Sequence, residues 1–140
     1  MAIFVFTNGF VSINGVDLSN HGSKVTTNDT RAQLDITAFG ASALTYTKGL
    51  GDASISVDFF QDFAAASVHA TLSPLISTST PFAVEVRPVN SARSATNPAF
   101  FLAAALLFTY PGMDGSVGQP LGGTYIFQNA GQAGMTYPIS

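Results

Sequence analysis

The sequence predicts a mainly β domain: a β-sandwich of antiparallel strands with one flanking α-helix. Residues 53–59 alternate strictly, with Ile55, Val57 and Phe59 on one face and Ser54, Ser56 and Asp58 on the other, the period of a half-buried strand. At Gln61 and Asp62 the rhythm changes, and Val68, Leu72 and Leu75 or Ile76 recur at helical spacing. Elsewhere, short alternating runs are separated by turn dipeptides such as Asn8-Gly9 and Asn14-Gly15.

In chain order, residues 3–6 and 10–13 alternate loosely and predict an opening strand or hairpin. Residues 24–37 predict a longer strand pair, with Leu34 and Ile36 facing one way and Gln33, Asp35 and Thr37 the other. Small residues at 38–42 interrupt it, alternation resumes at 44–47, and residues 48–52 turn the chain into the 53–59 strand. Asp62 is the expected helix cap, because its carboxylate can accept the free N–H groups of a first turn. Ala64–Ala66 favour helix and Pro74 limits it. Phe82, Val84 and Val86 alternate with Ala83, Glu85 and Arg87 as a half-buried strand, on which Glu85 and Arg87 read as a solvated pair. Residues 99–110 carry bulky side chains at even positions and small ones at several odd positions, which favours a strand with its large face on a core. An Ala-rich helix is the alternative. Residues 111–115 form a turn and 124–128 a last strand.

Composition bounds the function. The 140 residues suit one domain, 1–140, with a core that needs no disulfide or metal. Cysteine is absent, which excludes disulfides and thiolate chemistry. Charged residues make up 9% of the chain, against roughly 25% in ordinary soluble domains. Hydrophobic residues reach 46%. So poorly charged a surface is expected to be covered by copies of itself. The longest apolar run, residues 99–108, is too short for a membrane helix, which needs about 20 residues. Residues 1–6 show no basic region and no cleavage site, so no signal peptide is expected. The net charge of −3 and five scattered basic residues (Lys24, Arg31, Lys48, Arg87, Arg93) argue against a DNA-gripping protein.

No residue pattern reads as catalytic. Asp58 and Asp62 are the acids closest in sequence, and Asp62 has a better use as a cap. His21 and His69 have no third ligand at metal spacing, so no cofactor or metal is expected. No serine lies in a nucleophile elbow. Gly49-Leu50-Gly51 leads into a strand, the wrong context for a dinucleotide, and residues 118–123 lack the lysine of a phosphate loop. Tyr46, Tyr110 and Tyr125 are available to stack on a sugar, but are more simply core or interface residues, and tryptophan is missing.

Four segments, taken in order, resemble the major tail tube proteins of long-tailed bacteriophages. They are Val11-Ser12-Ile13-Asn14-Gly15-Val16-Asp17-Leu18-Ser19, then Leu34-Asp35-Ile36-Thr37-Ala38-Phe39-Gly40, then Gly49-Leu50-Gly51-Asp52-Ala53-Ser54-Ile55-Ser56-Val57, and lastly Val84-Glu85-Val86-Arg87-Pro88 with Thr96-Asn97-Pro98. Together they span most of residues 9–110. The apolar run at 100–108 has no counterpart in that pattern.

The resemblance implies a small tail-tube-like sandwich whose subunits form rings, hexameric in the family, stacked into a hollow tube. DNA passes through without specific binding. It further implies a structural virion protein of the tail, assembled in the host cytoplasm, with itself and other virion proteins as partners and no enzymatic turnover. An extended loop at 37–52 and a C-terminal arm at 111–140, disordered alone and ordered in the polymer, are expected. The subunit-contact candidates are Phe39, Gly40, Leu50, Phe100 and Leu102. A capsid decoration protein or a head–tail joining ring protein is the alternative virion role.

Overall fold

The computed structural model describes residues 3–140; Met1 and Ala2, the start of the segment searched for a signal peptide, lie outside them. Eight strands run in order among the described residues: β1 (Phe10–Ile13), β2 (Val16–Asp17), β3 (Gly22–Asp35), β4 (Tyr46–Phe60), β5 (Phe82–Arg87), β6 (Phe100–Thr109), β7 (Gly122–Asn129) and β8 (Met135–Thr136). One short α-helix, α1 (Val68–Leu72), lies between β4 and β5. A 3₁₀ turn at Ser19–His21 leads into β3.

Every pairing is antiparallel, and the strands form one sheet in the order β2-β1-β5-β6-β7-β4-β3, with β8 added against β6. β1 and β4 are far apart in that order, yet Val11 and Ile13 share a core with Ile55, Val57 and Phe59. A side chain added at Gly22 would meet methyls of both Val11 and Val57 at 3.9 Å. The sheet therefore folds over, so that β2-β1-β5-β6 faces β7-β4-β3. Aromatic rings lock the interior edge to face, Phe59 on Tyr125 at 5.3 Å and Phe82 on Phe127 at 6.0 Å.

The alternation at 53–59 is the burial pattern of β4, with Ile55, Val57 and Phe59 at 1% exposure or less. Burying each such side chain contributes about 1.5–3 kcal/mol. The Asn14-Gly15 turn joins β1 to β2 with φ of 51° and 80°, the left-handed pair that a two-residue hairpin requires. Residues 3–6, expected as strand, lie outside the sheet, and Ile3 and Val5 are exposed. The strand pair expected at 24–37 is the single long strand β3.

β6 departs from the period-two reading. Leu102 is buried, but so are Ala105 and Leu107, while Phe108 is 60% exposed. The cause is a bulge: Val84 faces Leu102 and Phe82 faces Ala105, so Ala103 and Ala104 oppose the single Ala83. One extra residue moves every later side chain to the other face. A second irregularity at Phe108 marks the seam with β7.

The helix is shorter and later than expected. Ala66 adopts φ 58°, a left-handed conformation that stops a helix from running through Ala64–Ala66. Ser67 occupies the N-cap position without a side-chain cap bond. Val68, Leu72 and Leu75 are buried as their spacing predicts.

Two extended segments are also corrected. Of the loop expected at 37–52, residues 46–52 belong to β4. Of the arm expected at 111–140, β7 is a central strand and β8 pairs with β6, with Met135 buried.

Candidate functional site

The β3–β4 hairpin is the most distinctive surface feature. Its two strands pair from Gly22–Phe59 out to Asp35–Tyr46, whereas β4 meets β7 only from Ser54 onward. The outer part is thus a two-stranded ribbon that projects beyond the sheet. Ile36 N–H donates to Thr45 O at 3.0 Å, and Thr37 Oγ1 accepts from Thr45 N–H at 2.8 Å, closing the tip. Along the ribbon Leu34, Ile36, Phe39, Leu44, Tyr46 and Leu50 are exposed. A bulge sets Ala32 against Gly49 and Leu50. There a Cβ on Gly49 would lie 3.0 Å from Ala32 Cβ, so glycine permits the close approach. A lone two-stranded ribbon with an apolar surface is marginal in water, and β3 offers an unpaired edge along its length.

The contact candidates divide. Phe39 and Leu50 are 108% and 89% exposed, and Gly40 turns the tip at φ 81°. Phe100 is half-buried, its ring edge-on to Tyr137 at 5.3 Å. Leu102 is wholly buried, so it has no surface to offer another subunit. Its pairing with Val84 places it on the core face of β6, ahead of the bulge and in the direction that the even-position pattern gives.

The arm's base is tied to the end of the chain. Tyr137 donates its hydroxyl to Asp29, which also takes Arg31. The Tyr137 hydrogen bond, then that of Arg31, holds the Asp29 carboxyl below its usual range. An apolar groove of about 320 Å³ opens between the two halves, lined by Phe4, Phe6, Val25, Val86 and Phe100 among others.

Asp62 accepts Ala64 N–H at 3.0 Å and the Ser67 hydroxyl at 2.7 Å, and pairs with His21 Nε2 at 2.9 Å. It thus fastens the irregular turn before α1 to the 3₁₀ turn. The Ala64 N–H, then Ser67, lower its pKa. Although serine, histidine and aspartate meet here, Ser67 and Asp62 both address the same histidine nitrogen, and the hydroxyl already donates to the carboxylate. A nucleophile needs its base on one nitrogen and the orienting acid on the other. His69 bonds the Tyr110 hydroxyl, which also accepts from Gln61 at 3.3 Å. Asp58 points outward instead, accepting the Thr124 hydroxyl at 2.8 Å.

Glu85 is more than a solvated partner of Arg87. It accepts Arg87 Nε at 2.5 Å and also engages Arg93. Burial opposes its ionisation most strongly, yet the hydrogen bonds from Arg93 and Arg87 outweigh it and its pKa is lowered. Asn97, 5% exposed, organises the loop between β5 and β6: its amide donates to the carbonyls of Val89, Ser91 and Ala92, and its oxygen accepts Val89 N–H at 3.0 Å. Sequence reasoning missed Tyr137, weighed His21 only as a metal ligand, and named Asn97 only within the Thr96-Asn97-Pro98 motif.

No protein-family model matches the sequence, and no curated protein does. Solved structures do match the fold. A chain from the virion of a native gene transfer agent (GTA) particle superposes with a TM-score of 0.67 at 9% identity, covering 94% of this chain and 95% of that one. A chain from the tail of an empty GTA particle, computed with helical refinement and C6 symmetry, gives 0.54 at 10% identity, covering 84% and 82%.

Proposed function

We propose that this chain is a structural subunit of a phage-type tail tube, joining copies of itself into six-fold rings that stack around a channel for DNA. The projecting apolar β3–β4 arm carries this reading. Its exposed side chains and free edge suit burial against a neighbouring subunit, in the manner of obligate interfaces, which are more apolar than transient ones. A head-to-tail contact of this kind generates rings when its rotation closes. The reading is supported by the sequence resemblance and by the likeness in fold to chains of gene transfer agent particles, one of them from a tail with C6 symmetry. Six copies of a −3 chain carry about −18 per ring, which repels phosphates and favours passage over binding. On this reading the chain is non-enzymatic, resides in the virion tail after assembly in the host cytoplasm, and meets other virion proteins at the tube's ends. Electron microscopy of the concentrated protein tests it, with hollow rings or cylinders as the expected result. Persistent monomers, or trimers that decorate a shell, would overturn it.

A further inference from the structure

Resting on that reading, we infer that residues 3–8 are a displaceable flap guarding residues 22–27 of β3, so that a second copy pairs with that edge only after the flap moves aside. β3 is the last strand of the sheet, and beyond β4 no other strand pairs with it. Two clefts lie beside this edge. The first, of about 320 Å³, is walled by Phe4 and Phe6 together with Val25 and Thr27. The second, of about 130 Å³, is walled by Phe6, Thr7, Asn8 and Gly9 together with residues 22–25. The opening segment therefore runs alongside β3 without zipping onto it. Among the described residues, no backbone hydrogen bond joins residues 3–9 to β3.

The flap is fastened at its base and loose beyond it. Asn90 N–H donates to Asn8 O at 2.8 Å, and the Phe6 ring folds back over Gly9, where a side chain would overlap it. Farther out, apolar contact does the holding: Phe4 and Phe6 line the cleft while Ile3 and Val5 are the more exposed. The alternation that makes residues 3–6 resemble a strand thus serves here to cover one. A pairing strand must lie about 4.8 Å from β3, and residues 4–9 stand across that approach. Covering an edge with a loop is one way a sheet avoids uncontrolled pairing. A cover held by half-exposed rings gives way to a partner that supplies the missing ladder.

The chain has no cysteine, so Thr27→Cys supplies a single thiol in the cleft. In the dispersed protein, Phe4→Ser with Phe6→Ser should make that thiol react about tenfold faster with a bulky maleimide, because the open flap becomes the populated state. Gly9→Ala, whose methyl would displace the Phe6 ring, should do the same while keeping both rings, and serves where the double serine variant does not fold. Equal rates in the parent and the variants would overturn the inference without reference to assembly. With Thr27 restored, the same flap variants should shorten severalfold the lag before tubes appear in light scattering. An unchanged or longer lag would mean that the segment is no brake on pairing, and would also overturn it. Tubes from none of these proteins would overturn the tail-tube reading instead, and the labelling rates would still decide whether the edge is guarded.

Discussion

Tyr137 donates its phenolic hydroxyl to the carboxylate of Asp29, linking the end of the chain to the base of the β3–β4 arm. The same ring stands edge-on to Phe100 at 88°. One side chain thus bridges the two halves of the folded sheet. Tyr137→Phe keeps the ring contact and loses only an exposed hydrogen bond. Tyr137→Ala loses both, and should be less stable than Tyr137→Phe by about 1 kcal/mol, the worth of an aromatic pair. Urea titrations of the two variants check this; equal midpoints would remove the bridging role.

Asn97→Ala leaves several backbone groups of the β5–β6 loop without the partner that now satisfies them. The expected cost is about 2–3 kcal/mol. Asn97→Asp should cost nearly as much, because a carboxylate cannot donate to the three carbonyls. A denaturation midpoint unchanged in both variants contradicts this.

Tyr125 is fully buried and its hydroxyl finds no partner. Burial, then the neighbouring Tyr110, pushes its pKa from 10.0 up to about 12. The unfolded chain therefore loses this proton first, so the stability present below pH 10 is lost as pH rises toward 12. Tyr125→Phe should be neutral or stabilising, by up to about 1 kcal/mol, since it removes a buried unsatisfied group. It should also unfold at higher pH than the parent. Destabilisation, or an identical alkaline midpoint, would sink the account.

Glu85 and Asp29 have pKa values lowered from 4.5 and 3.8 respectively. At low pH the unfolded chain takes up protons first, so the stabilisation is complete above those ordinary values and is lost as pH falls through the depressed ones. Thermal melts should hold steady from about pH 7 to 5 and fall below about pH 4. Glu85→Gln should shrink that fall. A drop of the same size in the variant would assign it elsewhere.

Phe39→Ser with Leu50→Ser changes two exposed arm residues, so monomer stability should move by no more than about 0.5 kcal/mol each. Assembly should be lost. Leu102→Ala is the converse: its side chain is fully buried, and its cost should be about 2–5 kcal/mol of fold stability. Sedimentation and melting curves measured together separate the two effects. Tubes of normal abundance from the arm variant would remove the arm from the interface.

The strands at 53–59 and 82–87 were legible because alternation is a local property: a pleat sends successive side chains to opposite faces whatever its neighbours are. The Asn14-Gly15 turn was legible for the same reason, since only small or Asn-like residues enter its left-handed geometry easily. The start of the helix was not. Ala64–Ala66 have good helical propensity, yet the His21–Asp62–Ser67 contacts hold that stretch as a turn, and His21 lies too far away in sequence to be weighed locally. The same holds for the candidate surface. Phe39 and Leu50 lie on it, whereas Leu102 had to be withdrawn because the pairing of β6 with β5 sets it into the core beside Val84.

By itself, then, the sequence determined the class of the molecule, most of its strands and its shortage of charge, all written in residue type and short spacing. The tertiary structure decided which strands pair, where the sheet folds over, that β3 and β4 run on as a free arm, and that the C-terminal segment is built into the sheet. Those features depend on contacts between distant parts of the chain, where the phase of one bulge or the reach of one tyrosine reverses what local pattern suggests.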